Sequence, residues 1–270
     1  MKTIHVLLKC LAVSFLVLQS CKHDKTTVKP EGTDSPGPLA GKLKTILVNG
    51  EKEFWTAYSY AQDGTLEKEQ SFNKTKVQNE TDFDYAGGKI TSTVLKRSYA
   101  EGLSPAVVRH FYYTNGMLSS IREFDVDPYS LERSAFNYVF SYSGGVLKEL
   151  RTEIVRSAGD YVLYQLTKFD ADARGNVVKA EIQTYRNNQA QNTEIRQYVY
   201  DDKVNPLVKL TDPLKFSVYF SPNNVVKETI TPSPGGSSTV TGYQYEYNAD
   251  GKPSRSSVSA ESFRVFDYNK

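Results

Sequence analysis

The feature that most constrains this chain is an aromatic residue that recurs just before a short turn rich in Gly, Asn or Asp. Asn-Gly and Gly-Gly pairs between two apolar runs are strong hairpin signals, because the turns that join antiparallel strands need positive φ angles. An aliphatic residue follows these turns and opens the next strand. The series therefore predicts a chain built from successive hairpins. Its members are Tyr60, Tyr85, Tyr113, Tyr142, Phe169, Tyr200, Phe220 and Tyr247.

Residues 136–142 show the pattern within one copy. Their sequence, Phe-Asn-Tyr-Val-Phe-Ser-Tyr, places the aromatic side chains on one face and Asn, Val and Ser on the other. Such alternation is typical of a half-buried strand. A second set of Gly, Pro and Asn breakers lies between the aromatic turns, and no segment keeps helical periodicity over three turns. The copies at Tyr200 and Phe220 fit the same scheme, with a strand around Val208 between them.

These turns predict an all-β fold, an antiparallel up-and-down meander of about sixteen strands. A flat sheet of that size would leave its aromatic face in water and its edges unpaired. We therefore expect the sheet to curl into a flattened or partly open barrel, with the 19 Tyr and 13 Phe supplying its interior.

The first twenty residues predict an export signal. Lys2 and Lys9 make a short basic leader, and the apolar run that follows is nine residues long, Cys10 to Leu18. Such a helix would rise about 13 Å, which is too short for a hydrocarbon core of about 30 Å. The run therefore favours a cleaved signal over a permanent span.

The residues Leu18-Gln19-Ser20-Cys21 resemble the lipobox of bacterial lipoproteins. The resemblance implies that the Cys21 thiol carries diacylglycerol, that the signal is cut before Cys21, and that the new amine is acylated. The alternative is an ordinary secretory protein that is cut nearby and keeps Cys21 as an idle thiol. We expect three segments: the signal at 1–20, the lipidated cysteine and a disordered tether at 21–42, and a β domain at 43–270.

Loss of the signal changes the charge balance of the mature chain. Removal of Lys2 and Lys9 brings the 33 basic residues to 31, equal to the 31 acidic ones. A nucleic-acid binder normally carries a clear basic excess, so we expect no nucleic-acid partner.

Three turn segments, Tyr198–Pro206, Tyr245–Gly251 and Phe169–Asn176, resemble tyrosine–aspartate (YD, or RHS-type) repeats. Together with the lipobox and the tether, they make the chain similar to a family of Bacteroidetes-type lipoproteins with a porin-like fold. The resemblance implies an exported protein, lipid-anchored to the outer membrane of a Gram-negative envelope on its periplasmic or surface face. A membrane-spanning pore is not implied, because the strands carry charge on their exposed faces and the chain ends on Lys270 rather than on an aromatic residue.

One acidic cluster has the spacing for chemistry. Glu123, Asp125 and Asp127 alternate along one strand and so share a face. Such carboxylates can bind a cation or supply a general acid and base. The alternative is a solvated strand end that runs into the turn at Asp127-Pro128.

Two aromatic residues, Trp55 and Tyr112, fall on the strand face opposite to the aromatic series. Exposed rings stack on sugars, so both are candidates for glycan binding, with simple sheet packing as the alternative. We expect no metal and no cofactor: His110 is the only histidine of the β domain, and Arg174 occupies a ligand position in the calcium-like loop 170–176.

These features support one leading hypothesis and two alternatives. The leading one is a non-enzymatic, lipid-anchored envelope protein that binds or displays a glycan or another envelope protein. The first alternative is a carboxylate-dependent hydrolase that acts outside the cytoplasm, and the second is a structural or assembly lipoprotein.

Overall fold

The computed structural model describes residues 39–100, 102–126, 133–157, 160–210, 212–233 and 235–270. Within these ranges the chain forms a sheet of 17 strands and one short helix. The elements are β1 Leu43–Val48, β2 Glu51–Tyr60, β3 Leu66–Asn73, β4 Lys76–Ala86, β5 Lys89–Tyr99, β6 Gly102–Thr114, β7 Met117–Asp125, β8 Arg133–Ser143, β9 Val146–Ser157, β10 Asp160–Ala171, β11 Val177–Arg186, β12 Gln189–Val204, α1 Phe216–Tyr219, β13 Asn223–Ser233, β14 Thr239–Gly242, β15 Gln244–Tyr247, β16 Pro253–Ser257 and β17 Phe263–Tyr268.

The strands form an antiparallel meander that curls into a barrel. Each strand from β1 to β13 pairs with the next, β15 pairs with β16 and β16 with β17, and β17 pairs back to β1. The strands β14 and β15 are successive halves of one extended segment, separated by Tyr243. Because β14 pairs with β13 and β15 pairs with β16, one unsealed seam remains there. The predicted fold, a partly open antiparallel barrel, is confirmed.

The predicted turns lie at the two ends of the barrel. We call the end that carries the turns 61–65, 87–88, 115–116 and 144–145 the near end. The turn at Asn115-Gly116 has φ values of 50° and 82°, as a tight hairpin turn of the primed type requires. The aromatic residue before each of these turns therefore sits at the near end, on the inner face of its strand.

The barrel has a mainly apolar interior and a charged exterior. On the outer face of β3, β4 and β5, Lys68 and Lys96 bind Glu80 at 3.1 and 2.9 Å, and Lys96 also pairs with Asp82. Transmembrane barrels have the opposite arrangement, with an apolar outside and a polar lumen. The main interior cluster comprises Phe111, Leu118, Ile121, Tyr138, Phe140, Leu147, Leu150, Phe169, Val177, Ala180, Ile182, Tyr198, Tyr200 and Phe216.

The prediction of another hairpin around Val208 is wrong. Residues 205–210 and 212–222, which we call the plug, connect β12 to β13 through the barrel interior and include α1. Phe216 of α1 lies 4.8 Å from Phe169, ring centroid to centroid, within the main cluster. Leu207 packs on the other side, against a second cluster formed by Leu43, Ile46 and Phe266. The plug therefore fills the lumen between the two walls.

The physical reason is the size of the lumen. Side chains fill a barrel of about eight strands, whereas a wider one needs an additional segment inside. Bonds within the plug fix its shape: the Asn205 side chain donates to the carbonyls of Val218 and Ser221 at 2.7 and 2.9 Å. Arg109 of β6 adds an ion pair to Asp212 at 2.9 Å. In the described part of the chain, no helix is long and apolar enough to cross a membrane.

Candidate functional site

A cavity of about 420 Å³ opens between the near end of the barrel and the plug. We call it the near-end cavity. The strands contribute tyrosines that precede hairpin turns, and the glycines of those turns leave room beside them. The plug contributes aromatic residues and a lysine from the opposite side. The lining residues are Tyr85, Gly88, Lys89, Ile90, Tyr113, Gly116, Met117, Leu118, Tyr142, Gly145, Lys209, Tyr219 and Phe220.

Elsewhere in the barrel, tyrosines at the near end have a structural role. Their hydroxyls bond to the backbone of the first residue of the preceding strand and so tie neighbouring strands together. We call these bonds strand ties. Three are present in the described residues: Tyr60 to Leu43 O at 2.8 Å, Tyr200 to Val177 O at 2.7 Å, and Tyr268 to Pro253 O at 2.9 Å.

Tyr113 and Tyr142 depart from this rule. In the part of the chain that the structure describes, neither hydroxyl makes a tie to the start of β5 or β7, although both residues stand before near-end turns like the others. Both rings line the near-end cavity together with Tyr219. The Tyr113 hydroxyl lies close enough to those of Tyr142 and Tyr219 to influence their ionisation. These phenols are therefore available to a ligand.

Burial keeps these phenols protonated. It raises the pKa of Tyr113, and it raises the pKa of Tyr142 to about 12, with the neighbouring Tyr113 as a second cause. The pKa of Tyr219 is also raised by burial and by the surrounding tyrosines. At neutral pH each hydroxyl can therefore donate a hydrogen bond to an oxygen of a ligand.

Two lysines complete the site. The Lys89 ammonium lies 5.3 Å from the centroid of the Tyr113 ring. Lys209 of the plug has a left-handed backbone with φ of 59°, and its amide donates to the Tyr219 carbonyl at 3.2 Å. Positive φ is uncommon outside glycine and is held by surrounding structure where it occurs. The described lining thus combines aromatic faces, phenol donors and two ammonium groups, with no carboxylate.

A second, larger cavity of about 480 Å³ lies beside the seam between β14 and β15. Of its charged groups, Arg196 and Glu228 are paired within the protein. Arg196 contacts Glu194 at 2.5 Å and Glu228 at 3.9 Å, and the Tyr243 hydroxyl donates to Glu228 at 3.5 Å. These pairs join β12, β13 and the seam segment, so we assign them a structural role.

The predicted carboxylate cluster is separated by the structure. Glu123 is 8 % exposed, accepts a bond from Arg109 Nε at 2.6 Å, and accepts another from the Tyr138 hydroxyl at 3.3 Å. Asp125 is exposed at the end of β7, and Asp127 lies outside the described residues. Within the described ranges, no group of three His, Cys, Asp or Glu side chains is arranged to hold a metal ion.

The predicted aromatic candidates lie on the outer face, as their parity indicated, but not together. Tyr112 is 44 % exposed, with the Arg122 guanidinium 5.5 Å from its ring. Trp55 stacks on Phe72 at 4.0 Å, and its indole N–H donates to the Lys74 carbonyl at 2.8 Å. Their strands, β2 and β6, are four positions apart in the sheet, which corresponds to about 19 Å.

Other predicted features also have a defined place. His110 packs edge-on against Phe124 at 5.5 Å, on the outer face. Asp172 closes its turn by accepting bonds from the amides of Arg174 and Asn176, both at 2.9 Å. Cys21 lies outside the described residues.

Sequence reasoning missed Lys89 and Lys209, and it placed Tyr113 and Tyr142 among the core aromatics. Tyr60 and Tyr113 both precede a near-end turn that contains Gly, and only Tyr60 forms a strand tie within the described residues, so the difference has no local signal in the sequence. The plug did have one: the interval between Tyr200 and Phe220 is the shortest of the series, and it contains Pro206.

Fold and site together define a plugged antiparallel β-barrel with a tyrosine-lined cavity at one end. The chain is similar in structure to a porin-like protein from Bacteroides vulgatus, with a TM-score of 0.57 and 15% identity over 85% of this chain and 99% of that chain. A porin-like protein from Bacteroides uniformis gives a TM-score of 0.49 and 12% identity over 87% of this chain and 99% of that chain. The first comparison supports the barrel fold. No protein-family model matches the chain, and no curated protein matches it.

Proposed function

We propose that this protein is a non-enzymatic envelope protein, attached to the outer membrane through a lipid on Cys21, and that its barrel binds a saccharide in the near-end cavity. One observation carries the binding proposal. Within the described part of the chain, the hydroxyls of Tyr113 and Tyr142 do not form the strand ties that other near-end tyrosines make, and both rings line a cavity.

The chemistry of the cavity suits a sugar. Aromatic rings stack on the apolar C–H faces of pyranose rings, and phenol hydroxyls donate to the ring substituents. Small-molecule sites typically occupy about 300–1,000 Å³, and this cavity falls within that range at about 420 Å³. The turn glycines widen the mouth, because Gly88 and Gly145 place no Cβ there.

Three observations support the cellular placement. The residues Leu18–Cys21 resemble a lipobox, and the structural neighbours are porin-like proteins from Bacteroides. The outer wall carries ion pairs such as Lys68–Glu80, whereas a barrel inserted in lipid needs an apolar wall. We therefore place the barrel beside the membrane, held by its tether.

The hydrolase alternative receives less support from the geometry. A carboxylate pair for glycoside hydrolysis needs two acids about 5–9.5 Å apart in a cleft. Glu123 instead forms an ion pair with Arg109, which also binds Asp212 of the plug. These ion pairs attach the plug to the barrel wall. We therefore do not propose hydrolysis as a second candidate function.

An oligosaccharide array with a parallel turnover assay tests the proposal. Full-length protein in non-ionic detergent is compared with Tyr113→Ala, Tyr142→Ala and Asp125→Asn, the last as a matched control. We expect binding without turnover, which the two tyrosine variants lose and Asp125→Asn keeps. Turnover that Asp125→Asn abolishes would instead establish the hydrolase, and failure of every oligosaccharide to bind would refute the saccharide proposal.

A further inference from the structure

The near-end cavity is lined by two lysines and by no acidic residue of the described chain. On the outer wall Lys68 and Lys96 are paired with acids. In the seam cavity Arg196 is balanced by Glu194 and Glu228. By contrast, in the described part of the chain neither Lys89 nor Lys209 forms an ion pair, and both line the same cavity. The cavity therefore presents two uncompensated positive charges.

The two lysines come from opposite sides of the cavity. Lys89 begins β5 directly after the Gly87-Gly88 turn, and its ammonium lies beside the Tyr113 ring. Lys209 belongs to the plug, where its left-handed backbone is tied to the carbonyl of Tyr219. An anionic group between them would meet charges from both the barrel wall and the plug.

The phenols add neutral donors to this positive site. Ammonium and hydroxyl donors together favour an anionic oxygen over a neutral one, since charge-assisted hydrogen bonds are roughly twice as strong as neutral ones. The tyrosines that form strand ties, Tyr60, Tyr200 and Tyr268, use their hydroxyls inside the protein instead. Within the described residues, the hydroxyls of Tyr113 and Tyr142 form no strand tie, and they lie in the same cavity as two lysines. This combination indicates a site for a charged ligand.

We infer that the ligand of the near-end cavity is an acidic saccharide, whose carboxylate or sulfate binds between Lys89 and Lys209 while Tyr113 and Tyr142 donate to the same sugar. This inference rests on the proposed function and specifies its ligand class. A carboxylate would come from a uronic acid, and a sulfate from a sulfated hexose.

Calorimetric titration with matched sugar sets tests this inference. Each set contains a neutral oligosaccharide, its uronate counterpart and its sulfated counterpart, titrated into the full-length protein in non-ionic detergent. The variants are Lys89→Gln and Lys209→Asn, the latter because Asn tolerates left-handed backbone. Lys148→Gln is the matched control, since Lys148 is an exposed lysine that follows a near-end turn but does not line the cavity.

We expect one acidic member to bind at least about tenfold more tightly than its neutral counterpart, because a hydrogen bond to a charged group contributes that much or more. Either lysine variant should lower the affinity for the acidic sugar by about tenfold and leave the affinity for the neutral sugar unchanged. The unchanged neutral affinity also shows that the variants fold. Added salt should lower the affinity for the acidic sugar and leave the affinity for the neutral sugar unchanged.

Three results would count against the inference. Equal binding of neutral and acidic members would overturn it and leave the proposed saccharide function standing. A preference for acidic sugars that survives both lysine substitutions, or that Lys148→Gln removes, would place the anion elsewhere. Failure of every member of every set to bind would overturn the proposed function itself.

Discussion

Removal of the Tyr200 hydroxyl tests whether the strand ties stabilise the barrel. The ring is 8 % exposed, and its hydroxyl donates to the Val177 carbonyl at 2.7 Å. It also accepts a bond at 3.0 Å from the hydroxyl of Ser221, a fully buried plug residue. The substitution Tyr200→Phe keeps the ring and removes only this oxygen, so the change in stability reports on these bonds.

The expected loss follows from these bonds and from a longer one, at 3.2 Å, to the Ser217 carbonyl. A hydrogen bond contributes about 0.5–1.5 kcal/mol, and a buried group left without its partner costs about 1–3 kcal/mol. We therefore expect Tyr200→Phe to lower the free energy of unfolding by about 2–3 kcal/mol. For a domain of this size the midpoint of thermal unfolding should fall by roughly 4–12 °C.

Tyr113→Phe is the matched control. Its hydroxyl makes no strand tie within the described residues, so the variant should unfold within about 0.5 kcal/mol of the unchanged protein. Urea titrations followed by circular dichroism measure both variants. If Tyr113→Phe lost as much stability as Tyr200→Phe, or if Tyr200→Phe lost none, the distinction between tied and free tyrosines would be refuted.

Three further predictions concern the plug, the interior and the anchor. Arg109→Met should lower the free energy of unfolding by about 3–5 kcal/mol in urea titrations, because it leaves Glu123 buried without its ion pair. Burial raises the pKa of Tyr60 and Tyr142 to about 12, so the unfolded chain, where tyrosine titrates near 10, loses protons first and the free energy of unfolding should fall as the pH rises from about 10 to about 12. Cys21→Ser should release the protein from the membrane fraction and abolish globomycin-sensitive processing.

Each of these predictions has a contradicting outcome. Arg151→Met, which removes an exposed ion pair with Glu153, should lower the free energy of unfolding by at most about 1 kcal/mol. An equally small loss for Arg109→Met would refute the stabilising role of the buried Arg109–Glu123 pair. Stability that is constant between about pH 10 and pH 12 would mean that the interior tyrosines ionise as in the unfolded chain. A Cys21→Ser protein that stays in the membrane fraction would refute the lipid anchor.

The barrel was predictable because its signals are local. Alternation in residues 136–142 depends on neighbouring residues alone, and the Asn115-Gly116 pair directs a tight turn whatever surrounds it. The inward orientation of the aromatic series followed from the same alternation. Closure of the sheet into a barrel was predictable because a flat sheet would expose its aromatic face to water and leave its edge strands unpaired. That argument does not depend on any single residue.

The plug and the site were not predictable in this way. Residues 205–222 lack periodicity of either type, and their position is set by the volume that the closed barrel leaves empty. Likewise, the roles of Tyr200 and Tyr113 depend on whether a backbone group of the adjacent strand comes within reach, which only the assembled barrel decides. Lys209 reaches the cavity only because the plug turns back at that residue.

The most direct test of the account is the affinity of the double variant Tyr113→Phe/Tyr142→Phe for the saccharide that the array selects, measured together with its free energy of unfolding. We predict binding at least about tenfold weaker, because two donors to the ligand are lost. Stability should change by no more than about 0.5 kcal/mol, because neither hydroxyl supports the barrel. Unchanged affinity, or a loss of affinity that is matched by a loss of stability, would contradict the assignment of these two tyrosines to a binding site.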